Sequence, residues 1–264
     1  SISRRYNTDA IYVPFMVEKD GLENAVKGLR ALNVLGFNVT VPFKKDVMKY
    51  IDDNSKEALL MGAVNTVKNI DGRLYGYNTD AEGFSRSFKE ETGISFKGKN
   101  VLIIGAGGAA RAIAVKIAIE GADKIRIINR TPAKALDIAD VINNNIRNAA
   151  CYLGIDDKDL PKAFSDSEII INTTSVGMYP DIDKSPVGEN MVFSDKQVVY
   201  DAIYNPLKTK LLMHAEKYGC KTVNGLGMLF YQGINAYEIW TGIKLPEGFL
   251  KEFYESFKGI LREM

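Results

Sequence analysis

Histidine is almost missing from this chain: 264 residues hold one, His214, beside two cysteines and one tryptophan. A single histidine rules out metal sites built from several imidazoles and leaves any histidine-based triad or general base to His214 alone. That residue falls beside Leu211, Leu212 and Met213 in a stretch with helical spacing over 208–218, so a surface or half-buried structural role is expected. Cys151 and Cys220 are too few and too far apart for a disulfide framework or a zinc site. An excess charge is lacking too. The 34 Lys and Arg against 33 Asp and Glu leave +1, with no basic block to form a nucleic-acid footprint. No apolar run reaches membrane-spanning length, and no internal repeat or low-complexity segment is found. What remains, at 46% hydrophobic and 25% charged, is an ordinary globular composition with length for one or two domains. No nucleic acid, membrane or metal is expected as a partner.

Glycine is well supplied, and one cluster of it organises the chain. In the stretch 99–131, KNVLIIGAGGAARAIAVKIAIEGADKIRIINRT, the apolar run 101–104 reads as a strand buried on both faces. Gly105, Ala106, Gly107, Gly108, Ala109 and Ala110 come next and fit G-x-G-x-x-A. Helical spacing begins at once, with Ala109, Ile113, Ile117 and Ala118 on one side; Gly121 ends the helix and 124–128 reads as the next parallel strand. Strand, glycine turn, helix and strand together are the setting of a Rossmann-like dinucleotide site. Gly105 permits the tight turn, Gly107 lets backbone amides approach a pyrophosphate, and the helix N-terminus supplies partial positive charge. A purely structural glycine turn is the competing reading.

The end of the second strand selects the cofactor. An NAD site places Asp or Glu there for the ribose 2′-hydroxyl, whereas this chain has Asn129-Arg130-Thr131, with Lys134 one helical turn beyond Arg130. A guanidinium at that point pairs with a 2′-phosphate, so NADP is expected over NAD. Thr131-Pro132 also reads as a helix cap with Pro at the first position, and the two roles are compatible.

Ahead of this unit, the pattern predicts a strand over 10–17, with Pro14 marking an edge or bulge. A helix over 21–32, a strand over 36–41 closed by Pro42, and a two-piece helix over 46–60 come after it. A hairpin of 63–68 and 73–77 turns at Ile70-Asp71-Gly72, and a helix over 81–91 leads into the glycine unit. Behind it come a helix over 131–146 and strands over 150–153, 167–171, 197–201 and 221–223. The long loop 176–195 is a functional candidate, and helices over 226–241 and 246–263 close the chain. The expected fold is α/β in two domains. One is a Rossmann-like doubly wound parallel sheet over 81–224; the other is an N-terminal α/β substrate domain, 1–80, completed by the last helices, 225–264.

In 37–41, period-two alternation puts Phe37, Val39 and Val41 on one face and Asn38 and Thr40 on the other, with Lys44 just past the end of that polar face. Open α/β sheets keep their sites at such strand ends, although two solvated lysines, Lys44 and Lys45, fit the letters as well. Asp80 precedes a helix, which makes it a natural N-cap. Tyr204 is neutral between packing and lining a pocket, and Gln232, in a helix, has solvent exposure as its ordinary expectation.

GFNVTVPFK (36–44), GAVNT (62–66), NTD (78–80), GAGGAAR (105–111), NRT (129–131), YDAIYNP (200–206) and NGLGMLFYQG (224–233) recur in this order in shikimate dehydrogenases, a family the chain resembles over nearly its whole length. The resemblance implies reversible NADP-linked hydride transfer between shikimate and 3-dehydroshikimate, a step towards aromatic amino acids, in a monomer or homodimer. It implies that Lys44 and Asp80 form the catalytic pair and that Thr40, Asn65, Asp80, Tyr204 and Gln232 hold the ring. It further implies that Gly105, Ala106, Gly107, Gly108, Ala109, Asn129, Arg130, Thr131, Lys134, Ala202 and Gly225 hold the cofactor, Gly225 near the nicotinamide. Ser1 and Ser3 match the S-x-S that binds the substrate carboxylate. Arg4-Arg5-Tyr6 then stands where the family has P-x-x-H-N, and the family's first strand is missing, which points to residues absent between Ser3 and Arg4. A cleft that closes on binding is expected, because the two partners come from separate domains. Alternatives on the same scaffold are a quinate/shikimate or amino-shikimate dehydrogenase and a non-catalytic NADP-binding sensor.

Overall fold

A sharp turn at Asp71 (φ 51°) and Gly72 (φ 84°) folds the hydrophobic alternation of 66–77 into a hairpin, as left-handed conformations at both central positions require. In this computed structural model, which describes residues 2–6 and 8–262, that hairpin is the centre of the smaller of two sheets. The chain begins with α1 (Ile2–Arg5), α2 (Leu22–Ala31) and β1 (Gly36–Asn38). A 3-10 turn (Asp46–Lys49), β2 (Asp53–Asn54) and α3 (Lys56–Met61) then lead to the hairpin strands β3 (Thr66–Ile70) and β4 (Arg73–Tyr77). The four strands run in the order β1-β3-β4-β2, with β2 parallel to β4 and the other pairs antiparallel.

Helix α4 (Thr79–Thr92) carries the chain into the second sheet. Its elements are β5 (Asn100–Ile104), α5 (Gly108–Ile119), β6 (Lys124–Ile128), α6 (Pro132–Asn145) and β7 (Ala150–Leu153). They continue with α7 (Leu160–Ser165), β8 (Ile169–Asn172), β9 (Val198–Asp201), α8 (Lys210–Glu216) and β10 (Lys221–Val223). All six strands are parallel, in the order β10-β9-β8-β5-β6-β7, the doubly wound arrangement of dinucleotide-binding sheets. Its central strands are continuous apolar runs because both faces are covered: Ile103, Ile127 and Ile171 are fully buried. The order reverses between β5 and β8, which opens a crevice at their carboxyl ends. The sheet and α4 enclose α5 so fully that residues 112–118 are all buried; Ala109, expected on the packed face, is exposed at the mouth of the turn.

The last two helices, α9 (Leu226–Thr241) and α10 (Glu247–Arg262), return to the first sheet. Trp240 donates its indole N–H to the Val67 carbonyl (2.9 Å), and Lys68 reaches the Ile239 carbonyl (2.7 Å).

Two expectations are corrected. Residues 10–17 form no strand: they run without regular structure, with Ile11 89% and Met16 94% exposed. An apolar segment becomes a strand only where a ladder partner takes its N–H and C=O groups, and this one meets the sheet through Tyr12, whose hydroxyl bonds Asn38 (3.0 Å) while its ring stacks on Trp240. The strand expected over 36–41 is only Gly36–Asn38. One further bond, Val39 N–H to the Asn65 carbonyl, extends its pairing before the chain turns away, leaving Val41 exposed while Phe37 and Val39 join the core.

Candidate active site

Lys44 sits in the turn after β1, its carbonyl fixed by the Val64 N–H (2.8 Å). Its ammonium lies 2.6 Å from the Asp80 carboxylate, with the two side chains 30% and 20% exposed. The pair is therefore half-sheltered yet open to a ligand, and neither bland reading of it holds. Lys44 is not a solvated lysine. Asp80 is not the helix cap: Asn78 is, its amide oxygen accepting from the Asp80 and Ala81 N–H groups. Asp80 occupies the first turn of α4 instead, where the helix dipole favours a carboxylate, and its side chain is released towards Lys44.

A buried polar network holds this pair from behind. The Asn65 side-chain oxygen accepts from Thr79 N–H (2.7 Å) and from the hydroxyls of Thr66 and Thr79, which anchors the start of α4. Asn38 donates to the Asn65 carbonyl and to Thr66 (both 3.0 Å), and Asn78 donates to the Ala63 carbonyl (3.0 Å). Sequence reading passed over Asn38, Thr66, Asn78 and Thr79 as site-builders. The polar face shared by Asn38 and Thr40, and the adjacency of Asn78 to Asp80, were the signals available.

Gly83 brings α9 to this place. A Cβ there would lie 2.6 Å from the Gln232 amide nitrogen and 2.8 Å from the Met228 carbonyl, so the two helices pack backbone to backbone one turn from Asp80. Gln232 is half-buried rather than solvated, its amide donating to the Leu229 carbonyl (3.0 Å). Thr40 is exposed beside Lys44's turn, and Tyr204 is 43% exposed, so its ring is not core packing. Ser1 lies outside the described residues, as does the side chain of Ser3.

The glycine turn at the crevice fits a dinucleotide. Gly105 adopts φ +110° and packs so closely that a Cβ would meet the Thr173 hydroxyl at 2.6 Å, whereas a Cβ at Gly107 or Gly108 would meet nothing within 4 Å. The turn is thus tight at its base and open above, with the N–H groups of the first turn of α5 facing that space. At the end of β6 no acid stands; Arg130, Thr131 and Lys134 are exposed, with Asn129 beside them bonding the Thr131 carbonyl (2.9 Å). Thr131 occupies the cap position of α6, but its hydroxyl makes no capping bond, and Pro132 supplies no N–H. These features suit a 2′-phosphate. At the far side of the crevice Gly225 lies against Ala202, where any Cβ would collide with the Ala202 carbonyl, and its N–H donates to the Ile203 carbonyl (3.0 Å). The loop beneath is held by buried Asp201, which accepts from Thr209 (2.6 Å), Asn172 (3.0 Å) and Ile203 N–H (3.1 Å). Desolvation pushes the Asp201 carboxyl above its ordinary range.

From Gly225, α9 runs to Gln232, about 10 Å at 1.5 Å per residue. One helix thus spans from the crevice of the parallel sheet to the start of α4, one turn from Asp80. Among the described residues no group of His, Cys, Asp and Glu is placed to hold a metal, and no helix is long and apolar enough to cross a membrane. His214 is half-buried with its ring edge-on to Phe193, in keeping with a packing role.

Known proteins resemble this chain over most of its length. Residues 1–67 match the shikimate dehydrogenase substrate binding domain, 87–200 match shikimate / quinate 5-dehydrogenase, and 225–251 match the shikimate 5′-dehydrogenase C-terminal domain. The NADP(+) shikimate dehydrogenase of Alkaliphilus oremlandii is 47% identical over 93% of this chain and 86% of its own. The crystal structure of shikimate 5-dehydrogenase from Listeria monocytogenes, in complex with shikimate and NAD, has a TM-score of 0.89 at 40% identity, covering 95% of this chain and 88% of that one. A ligand-free 5-ketofructose reductase of Gluconobacter sp. strain CHM43 has a TM-score of 0.86 at 39% identity, covering 98% and 90%. With three matched segments in order and such identity over nearly the full length, the chain belongs to the shikimate dehydrogenase family.

Proposed function

We propose that this protein interconverts shikimate and 3-dehydroshikimate with NADP, at a site where Lys44 and Asp80 do the proton chemistry. The observation that carries the reading is the 2.6 Å Lys44–Asp80 pair, whose helix α4 packs one turn further on against Gln232 of the helix that starts at the cofactor crevice. When bound, the nicotinamide supplies or takes up the hydride at the carbon that changes oxidation state. In ketone reduction negative charge grows on oxygen; the Lys44 ammonium stabilises it there and hands over a proton. In alcohol oxidation the same nitrogen receives the hydroxyl proton. Asp80 keeps that nitrogen aimed and accepts a neighbouring substrate hydroxyl. Thr40, Asn65, Tyr204 and Gln232 would hold the remaining ring hydroxyls, and Ser1 and Ser3 the carboxylate. The backbone of Gly105, Ala106, Gly107, Gly108 and Ala109 would cradle the pyrophosphate, Arg130 with Asn129, Thr131 and Lys134 the 2′-phosphate, and Ala202 and Gly225 the nicotinamide.

Residues 1–80 with 225–264 then form the substrate domain and 81–224 the NADP domain, a division supported by the two separate sheets. Cytoplasmic location and a monomer or homodimer complete the reading. The likeness to a 5-ketofructose reductase favours one alternative, another polyhydroxylated ketone on the same scaffold. The test is initial-rate absorbance at the reduced-cofactor band with shikimate, quinate and 5-ketofructose, each with NADP(H) and NAD(H). Highest kcat/KM for shikimate with NADP+ is expected; a clear preference for either other substrate, or for NAD(H), overturns the assignment.

A further inference from the structure

Arg111 closes the GAGGAAR run, yet neither the phosphate turn nor the substrate pair uses it. It lies in the first turn of α5, its N–H bonded to the Gly107 carbonyl (3.0 Å) at the glycine turn itself. Its guanidinium bridges the two sheets' elements: Nε donates to the Leu60 carbonyl at the end of α3 (3.3 Å), and Nη1 pairs with Asp137 of α6 in the larger sheet's own domain (2.6 Å). The group also lies against Gly62, the left-handed residue that terminates α3, where a Cβ would be 3.7 Å from Nε. The segment just past Gly62 builds the site. The Ala63 carbonyl accepts from Asn78, the cap of Asp80's helix; the Val64 N–H holds the Lys44 carbonyl; and Asn65 anchors Thr79. Farther along α5, Lys116 ties the same helix to both neighbours, pairing with Glu82 of α4 and lying 3.9 Å from Glu57 of α3.

We propose that Arg111 is a positioning residue: it sets the Lys44–Asp80 pair in register with the glycine turn by clamping the end of α3 to the first turn of α5. It touches neither substrate nor cofactor. The chain of contact is short, from Gly107 through the guanidinium to the segment 60–64 and on to Lys44. A planar fork already anchored on Asp137 holds that segment in one place, which an aliphatic side chain cannot do. This role rests on the shikimate dehydrogenase reading for its kinetic test, but its structural half does not.

The experiment compares Arg111→Met, Arg111→Lys and Asp137→Asn with the parent protein. For Arg111→Met, kcat for shikimate oxidation should fall by roughly tenfold to a hundredfold, the scale of an ångström-sized misplacement. The NADP+ Kd, read by fluorescence titration, should stay within about threefold, since no cofactor contact is lost. Arg111→Lys should recover part of the kcat, and Asp137→Asn, on an exposed side chain, should show a smaller loss in the same direction. Hydrogen exchange should speed up at the amide of Val64 in Arg111→Met, whatever substrate the enzyme prefers. Unchanged kcat in Arg111→Met, or a loss confined to NADP+ affinity, overturns the proposal. If Arg111→Met does not fold, unchanged kcat in both remaining variants overturns it. A parent protein inactive on shikimate refutes the functional reading instead, and the exchange rate at Val64 then decides the role of Arg111 alone.

Discussion

Gly83→Ala offers a sharp test of how the site is assembled, because one methyl group separates stability from function. Gly83 lies inside α4 with an ordinary helical backbone, so alanine gains about 1 kcal/mol of helix propensity. The new Cβ would stand 2.6 Å from the Gln232 nitrogen, against the 3.4 Å of ordinary contact, so α4 and α9 must separate by about 0.8 Å. Overpacking on that scale costs about 1–3 kcal/mol, leaving a net loss of about 0–2 kcal/mol and a fall in Tm of a few degrees. The folded state survives. Asp80 rides on one of the displaced helices, one turn away, and Gln232 on the other, so kcat/KM for shikimate should fall about tenfold to a hundredfold. Gly28→Ala is the control: it lies mid-helix in α2 with nothing within 4 Å of its would-be Cβ, so it should gain up to about 1 kcal/mol and leave kcat/KM unchanged. Thermal melts and initial rates on the three proteins read both quantities. A folded Gly83→Ala protein with parental kcat/KM would refute the placement of Gln232 and Asp80 in one site.

Lys44→Ala should lower kcat by roughly 10²–10⁴ while moving the KM for shikimate only a few-fold, since the ammonium acts on charge that develops during reaction; an unchanged turnover number ends its catalytic role. Arg130→Ala should raise the KM for NADP+ by about 10–100-fold, the worth of a charge-assisted phosphate contact, and leave NAD+ nearly unaffected; equal effects on both cofactors would remove it from the 2′-phosphate site. Glu91 accepts from Ser87 (2.9 Å), and burial raises its pKa, so the folded chain holds that proton more tightly than the unfolded one. Its contribution to stability is therefore greatest below the ordinary carboxylate range and is lost as pH rises through the raised value. Glu91→Gln should melt at higher temperature than the parent at pH 7–8, with the gap closing near pH 4; a gap independent of pH would contradict the sign.

Local patterning was enough to place the glycine turn, the strand β6 and its missing acid, and the hairpin at Asp71-Gly72, because each rests on contiguous residues and steric rules that act within a few positions. The same letters could not say whether Asp80 or Asn78 capped α4, since both lie at the helix start and only the position of Lys44 draws one of them away. Nor could they show that residues 10–17, an apolar run of strand length, lack a ladder partner, because pairing depends on what edge stands opposite. Arg111's reach to Leu60, and the meeting of Gly83 with Gln232 far along the chain, exist only once α3, α4, α5 and α9 are packed together. The sequence alone determined the cofactor crevice and the kinds of side chain available for proton transfer. Tertiary structure decided which of them meet, since a catalytic pair drawn from a loop and a distant helix is a product of packing between elements and leaves no period in the chain.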